Sequence, residues 1–189
     1  AACRMSRRRD ILHAAARVFR RRGIAAAGMR EIADEAGLSP GNLYYYFDSK
    51  DELLVFCHER TLEHMLAAVD AAKVGARSSA EQLRAILRAH IHALLIEIEG
   101  ATAHLDLDVL PQALRAPMNR KRDKYERALR ALVAQGVARG EFAPCDAALV
   151  TRAMLGAVNW TARWFRPDGA QSADQVAQAI SEYLVKGLR

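Results

Sequence analysis

Aromatic residues make up only 6% of this 189-residue sequence, and β-branched residues are sparse, so a strand-rich sandwich or barrel would lack its usual building material. Cysteine is scarce too: Cys3, Cys57 and Cys145 stand far apart, odd in number and without a pairing pattern, which implies no disulfide framework and suits a reducing cytosol. No stretch approaches the ~18 apolar residues that span a bilayer. The start, AACRMSRRRD, is basic with no apolar run behind it, so secretion and membrane insertion are disfavoured and a cytoplasmic location is expected. The missing initiator Met suggests a trimmed or incomplete N-terminus. No G-x-S-x-G elbow, phosphate-cradling glycine loop, or Cys or His pair at metal spacing occurs, so no metal, cofactor or catalytic centre is expected. His90 and His92 are two apart and face different ways on a helix. Asp106 and Asp108 read as a solvated face rather than an acid/base pair.

What is present favours helices. Hydrophobic residues, alanine prominent among them, make up 51% of the chain and charged residues 26%, the balance of a globular and not a disordered protein. The length allows one large domain or two small ones sharing a core, and the composition reads as all-α. The formal charge of +6 is lopsided: of 28 basic and 22 acidic residues, ten and five fall within 1–50, leaving 18 and 17 for the other 139. Nearly all the excess therefore sits in the first quarter, an electrostatic footprint for a polyanion. A solvated basic tail is the alternative.

Periodicity and capping residues place about nine helices. Ile11, Leu12, Ala15, Val18 and Phe19 share one face of the first, which stops at Gly23. A second runs from Met29 to about Ala36, with Gly28 as N-cap and Gly37 closing it. A third opens at Ser39-Pro40 and ends near Asp48. Ser49-Lys50-Asp51-Glu52 is a capping box before a long fourth helix to about Ala72. Lys73 to Ser79 is a linker, and Ser78 to Glu81 caps a fifth helix whose stripe runs from Leu83 through His90 and Leu94 to Ile98, stopping at Gly100. A weak helical piece spans Ala101 to Leu110. The remaining three run from about Met118 to Arg139, from Asp146 to about Phe165, and onward from Ser172 with Val176, Ile180, Tyr183 and Leu184.

The second and third helices, MREIADEA and PGNLYYYF around a GLS turn, form a helix-turn-helix pattern. Ile32, Ala33, Leu38, Leu43 and Phe47 are its inward positions, which leaves Gly41, Asn42, Tyr44, Tyr45 and Tyr46 at the sides or outside. Three adjacent tyrosines cannot all be core. Tyrosine hydroxyls reach phosphates, their rings touch thymine methyls and Asn reads adenine, so an exposed Tyr/Asn face with basic flanks suits a major groove. Packing against the fourth helix is the alternative for part of Tyr44. At these residues the chain resembles the TetR family of bacterial transcriptional repressors: Ile32-Ala33, Ala36-Gly37, Ser39-Pro40-Gly41-Asn42-Leu43-Tyr44-Tyr45-Tyr46-Phe47 and Lys50 follow the family pattern over about the first 55 residues. Gly28 departs from the family's usual Thr or Ser, losing one backbone contact, and Tyr46 replaces its common His. The resemblance implies a DNA-binding domain over 1–49 and a ligand-binding and dimerisation domain over 50–189. The DNA-contacting set is then Arg7, Arg8, Arg30, Ser39, Gly41, Asn42, Tyr44, Tyr45, Tyr46 and Lys50, and the DNA partner is a double-stranded palindromic operator.

The resemblance also implies a small-molecule site among helices four to seven and a homodimer made by the last two. The helix to Phe165 is apolar nearly all round from Leu149 to Trp164, and small residues Ala153, Gly156 and Ala157 allow close approach, which fits a dimer seam with Val176, Ile180, Tyr183 and Leu184. Burial inside a monomer is the alternative. Asn159-Trp160 to Gly169 resembles an Asn-Trp…Arg-Trp-Tyr-x-Pro-x-Gly signature of a TetR subgroup that often responds to acyl-CoA thioesters. That effector needs an apolar tunnel with cations at its mouth, a part suited to Arg163 and Arg166 with the basic face Arg120, Lys121, Arg122 and Lys124. The ligand-binding set is His90, Leu94, Arg122, Tyr125, Asn159, Trp160, Arg163 and Trp164; the Trp stretch also reads as dimer core and helix end. A ligand-released repressor is the function implied. A helical carrier or enzyme with an incidental basic N-terminus is one alternative. A repressor responsive to a cationic or aromatic drug is another, with Glu97, Glu99, Asp106 and Asp108 as its acidic groups.

Overall fold

The computed structural model describes residues 2–75, 78–97 and 107–189, with side chains described from Met5 onward apart from those of residues 96, 97 and 107. Eight α-helices follow one another: α1 (Ala2–Arg22), α2 (Met29–Glu35), α3 (Pro40–Tyr46), α4 (Lys50–Ala72), α5 (Ser79–His92), α6 (Gln112–Ala138), α7 (Ala147–Trp164) and α8 (Ala173–Lys186). A π-helical turn over Ala93–Glu97 prolongs α5, and Leu107–Val109 is a 3₁₀ turn. The protein is all-α, with no strand among the described residues. Glu99, Gly100 and Asp106, with most of the helical piece expected from Ala101, lie outside those residues, as does the side chain of Glu97.

Local chemistry sets most helix starts. The hydroxyls of Ser39, Ser49, Ser78 and Ser172 accept from the backbone three residues on, and the Asp146 carboxylate accepts from Ala148 and Leu149. The boxes at Ser78–Glu81 and Ser172–Gln175 are reciprocal. That at Ser49 is only half formed, because the Glu52 carboxylate reaches past Ser49 to the amide of Asp48 at 2.7 Å. Each cap contributes about 1 kcal/mol, whereas each fully buried aliphatic side chain contributes about 1.5–3 kcal/mol. Packing therefore dominates, and its centre is α5, which touches α4, α6, α7 and α8. Leu83, Leu87 and Ile91 on its stripe are wholly inaccessible to solvent.

Two elements differ from the pattern in the sequence. Helix α6 begins at Gln112, upstream of Met118, and carries Pro117 inside it; this early in a helix the missing N–H forfeits a single bond, to the carbonyl of Ala113, which the remaining turns outweigh. Helix α7 is apolar all round in sequence yet half exposed in the protomer. Thr151, Met154, Val158 and Thr161 face the core, while Leu149, Ala153, Gly156, Ala157, Trp160 and Trp164 form an exposed stripe on the other side.

Candidate DNA-reading face and ligand cavity

The turn between α2 and α3 is fixed by Gly37, whose φ of +63° is costly for any residue with a Cβ. There the amide of Leu38 bonds to the carbonyl of Ala33 at 2.9 Å, and that of Gly37 to Asp34 at 3.1 Å, the pair of bonds that ends a helix in a left-handed glycine. Leu43 and Phe47 are consequently driven into the core with no exposed surface. Gly41, Asn42, Tyr44 and Tyr45 are left on the outside; Tyr45 is 68% exposed and meets the half-buried Tyr46 edge-on at 5.2 Å. Ser39 spends its hydroxyl on the amide of Asn42, so it shapes the face more than it presents it.

The cations behind this face are less available than the charge count implied. Arg17 and Arg21 bond to Glu35 at 2.6 and 2.7 Å, holding its carboxyl below the usual range. Arg22 pairs with Glu31 at 3.3 Å and Arg7 with Asp10 at 3.6 Å. Arg9, Arg20 and Arg30 are exposed and make no ion pair among the described residues. Arg8 is half-buried: its guanidinium stacks over the rings of Phe47 and Phe56 at 4.3 and 4.5 Å and bonds to Glu52 at 3.0 Å. The Lys50 ammonium donates to the carbonyls of Ala27 and Ala25 at 2.7 and 3.2 Å, and burial lowers its pKa. Both side chains therefore staple α1, α3 and the loop after α1 to the start of α4, and are turned inward as placed. No local signal in the chain reveals this, since the partners are 44 and about 25 residues distant.

In the body, Leu62 and Met65 of α4, His90 of α5, Arg122, Tyr125 and Glu126 of α6, and Arg152, Leu155, Gly156 and Asn159 of α7 line a cavity of about 230 Å³. Tyr125 and His90 meet across it, hydroxyl to Nδ1 at 3.2 Å, both buried. Burial pushes His90 down to about 3, so its imidazole is neutral, and pushes the Tyr125 phenol up. His58, also buried, is held down to about 4 by burial and by Arg122. Arg152 faces Glu126 at 3.5 Å, which leaves Arg122 as the unbalanced charge among the described lining residues. The buried Oδ1 of Asn159 has no hydrogen-bond partner among the described residues, a state that costs about 1–3 kcal/mol until a donor arrives. The cavity thus sets the apolar side chains of Leu62, Met65 and Leu155 beside a neutral His/Tyr pair, an open acceptor and, among the described residues, an excess cation.

Four of the expected ligand residues, His90, Arg122, Tyr125 and Asn159, come together in this cavity. The rest do not. Trp160 and Trp164, 64% and 42% exposed, point away from it on the α7 stripe, because residues one helical turn apart share a face and this is the face opposite Val158 and Thr161. Leu94 and Arg163 line a separate, smaller cleft. Of the expected seam, Ala153, Gly156, Ala157 and Tyr183 are exposed and Ile180 and Leu184 half-buried, but Val176 is buried within the protomer. Asp108 is exposed and bonded to Arg115 at 3.1 Å, outside the cavity. Leu62, Met65, Glu126, Arg152 and Leu155 complete the lining; nothing in the sequence ranked them above ordinary core and surface positions.

A short outward-facing helix in a helix-turn-helix, ahead of a helical body with a cavity between its helices, is the architecture of a ligand-binding transcription regulator. Similarity to known proteins agrees. Residues 11–55 match the bacterial regulatory proteins of the tetR family, and residues 76–188 the tetracyclin repressor-like C-terminal domain. The HTH-type transcriptional repressor KstR2 of Mycolicibacterium smegmatis is 30% identical over 97% of this chain and 91% of its own. The structure resembles that of the TetR family regulator PfmR from Thermus thermophilus, with a TM-score of 0.83 and 34% identity over 95% of this chain and 98% of that one. It also resembles AibR solved with isovaleryl coenzyme A and operator DNA, with a TM-score of 0.74 and 28% identity over 96% and 97%. The chain belongs to the TetR family: it is a helix-turn-helix, DNA-binding regulator of transcription, of the repressor type. Among the described residues, no helix is long and apolar enough to cross a membrane.

Proposed function

We propose that the protein binds a palindromic operator as a homodimer and leaves it when an acyl-CoA thioester enters the body. Asn42, Tyr44 and Tyr45 read the major groove from α3. The α7 stripe, with Tyr183 of α8, packs against a second copy, setting two α3 helices roughly 34 to 36 Å apart to meet successive major grooves. The observation that carries the effector class is the cavity lining: the apolar side chains of Leu62, Met65 and Leu155 beside an excess of positive charge and an unpartnered buried acceptor at Asn159. A thioester offers apolar bulk and negative charge together. A cationic effector fits poorly, because Glu126 is already balanced by Arg152 and Arg122 repels it. The AibR structure, with an acyl-CoA and operator DNA, supports the same pairing of ligands.

Calorimetry across acyl-CoAs, the matching free acids and cationic aromatics, run beside operator release, tests this reading. Thioesters are expected to bind and to displace the operator. Binding by the free acids or the cations without the thioesters sinks the effector class and leaves the regulator intact; catalysis or tight ligand binding with no salt-dependent operator affinity sinks both.

A further inference from the structure

Three arginines converge on one cleft outside the core cavity. Arg20 comes from the last turn of α1, Arg163 and Arg166 from the end of α7 and just beyond it, and Leu94 and Leu95 form part of the lining of a space of about 190 Å³. Both leucines are buried, at 0% and 7% exposure. The arginines are exposed and, among the described residues, none makes an ion pair or a side-chain hydrogen bond. That separates them from Arg17, Arg21 and Arg22 of the same α1, which carboxylates of α2 engage. Among the described residues, no carboxylate lines the cleft. Like charges gathered beside a low-dielectric floor repel one another, and the group that relieves them is a multiply charged anion. Guanidinium forks match phosphate oxygens in particular. Size limits what enters: whole drug-sized ligands occupy about 300–1,000 Å³, so this space takes a phosphate group and not the molecule that carries it.

The cleft lies one helical turn beyond the core cavity. Leu94 lies four residues beyond His90, and Arg163 four beyond Asn159, on the same two stretches of chain. Four residues advance a helix by about 6 Å, so the cavity and the cleft are successive turns along one helix pair, with the π-helical turn at Ala93–Glu97 making the step on the α5 side. The pocket lies at one end of this track and the three cations at the other.

We propose that the cleft binds a phosphate group of the effector, with Arg20 gripping it from the DNA-binding head and Arg163 and Arg166 from the body. This rests on the reading of the protein as a ligand-released repressor. The ligand then touches the head itself, and it favours the one head position that brings the three guanidiniums around a single anion. Operator affinity falls to the extent that this position differs from the DNA-bound one.

The test uses the full chain with three probes: an acyl-CoA thioester, the same acyl group on pantetheine, which lacks the phosphates, and inorganic pyrophosphate. Arg20→Gln and Arg166→Gln are each expected to weaken the thioester and pyrophosphate about 10- to 100-fold, the loss of one charge-assisted hydrogen bond. Acyl-pantetheine binding and ligand-free operator affinity stay unchanged. If Arg20→Gln instead lowers operator affinity and its salt slope while the thioester binds as before, Arg20 serves DNA and the site is overturned. Equal weakening of the thioester and the pantetheine form overturns it as well. Wild-type protein that acyl-pantetheine releases from the operator, but that binds pyrophosphate no better than Arg20→Gln does, keeps the repressor reading and loses the cleft. Pyrophosphate binding that depends on Arg20, in a protein no thioester releases from DNA, keeps the cleft and loses the acyl-thioester effector.

Discussion

Both α3 and α7 expose aromatic side chains, and their surroundings differ. On α3, Tyr44 and Tyr45 stand beside Asn42 and Gly41, on a head whose free cations include Arg9 and Arg30. On α7, Trp160 and Trp164 stand in line with Leu149, Ala153, Gly156 and Ala157. Hydroxyls and an amide beside positive charge want a polar, anionic partner with base edges to read. Indole rings among alanine and glycine want a flat apolar partner that approaches closely, and contiguous apolar exposure of this kind marks an interface. Equal exposure therefore carries opposite meanings, and the neighbours decide which.

The sharpest way to break this contrast is to charge the α7 stripe. A Cβ added at Gly156 meets nothing within 4 Å, so Gly156→Lys leaves the protomer intact and, with Gly replaced inside a helix, slightly more helical. Against a second copy it places an unpaired ammonium in an apolar seam, a cost of roughly 3 kcal/mol or more. Sedimentation is expected to show monomers, and operator affinity to fall about 100-fold or more, since 3 kcal/mol is worth over two decades in binding. A dimer that survives the substitution moves the seam elsewhere.

The two faces were unequally legible in the sequence. The α3 face is local: Ser39, Gly37 and the spacing of Leu43 and Phe47 fix which residues turn outward, and each acts within a few positions of itself. The α7 stripe was legible as apolar and rich in small residues, but the sequence could not assign Trp160 and Trp164 to a cavity or to a surface, because an apolar residue facing solvent in the protomer differs from a buried one only through its distant neighbours. The same holds for Arg8 and Lys50. Long flexible cations look alike in a basic segment, and only the fold brings Glu52, Phe56 and the Ala27 carbonyl to them.

Acid separates head from body. His58 and His90 beside the cavity are held down to about 4 and about 3, against an ordinary value near 6.5 in the unfolded chain. Below about pH 6.5 the unfolded state takes up protons that the folded state refuses, so the stability they contribute is fully present above that pH and is lost as pH falls towards the folded values. At pH 5 the loss is on the order of 2 kcal/mol per histidine, about 4 kcal/mol together. Urea titrations at pH 7.5 and pH 5 are expected to show it, with His58→Asn,His90→Asn removing most of the difference; an identical acid slope in that double variant contradicts the assignment.

Arg8 sharpens the contrast within the head. If it is a staple, Arg8→Ala loses two ring contacts and a bond to Glu52, about 2 kcal/mol of stability, and Arg8→Lys recovers little because an ammonium does not stack as a guanidinium does. Operator affinity weakens for every sequence alike, with an unchanged salt slope. A stable Arg8→Ala protein whose slope drops by about 1 would make Arg8 a phosphate contact after all.

The smallest effect belongs to Asn42. Its side chain is exposed and its backbone amide, not its carboxamide, receives the Ser39 cap, so Asn42→Ala is expected to change stability by no more than about 0.5 kcal/mol. Its consequence is confined to reading. A bidentate Asn to adenine is worth about 1–3 kcal/mol of discrimination at one base pair, so preference at a single operator position, mirrored in the other half-site, relaxes while affinity for random DNA and the salt dependence of both stay as they were. Binding measured over a library of single-base operator variants resolves this. A uniform fall across all positions would mean that α3 tilts away from the groove at Asn42 and that the reading is carried from Tyr44 and Tyr45 alone.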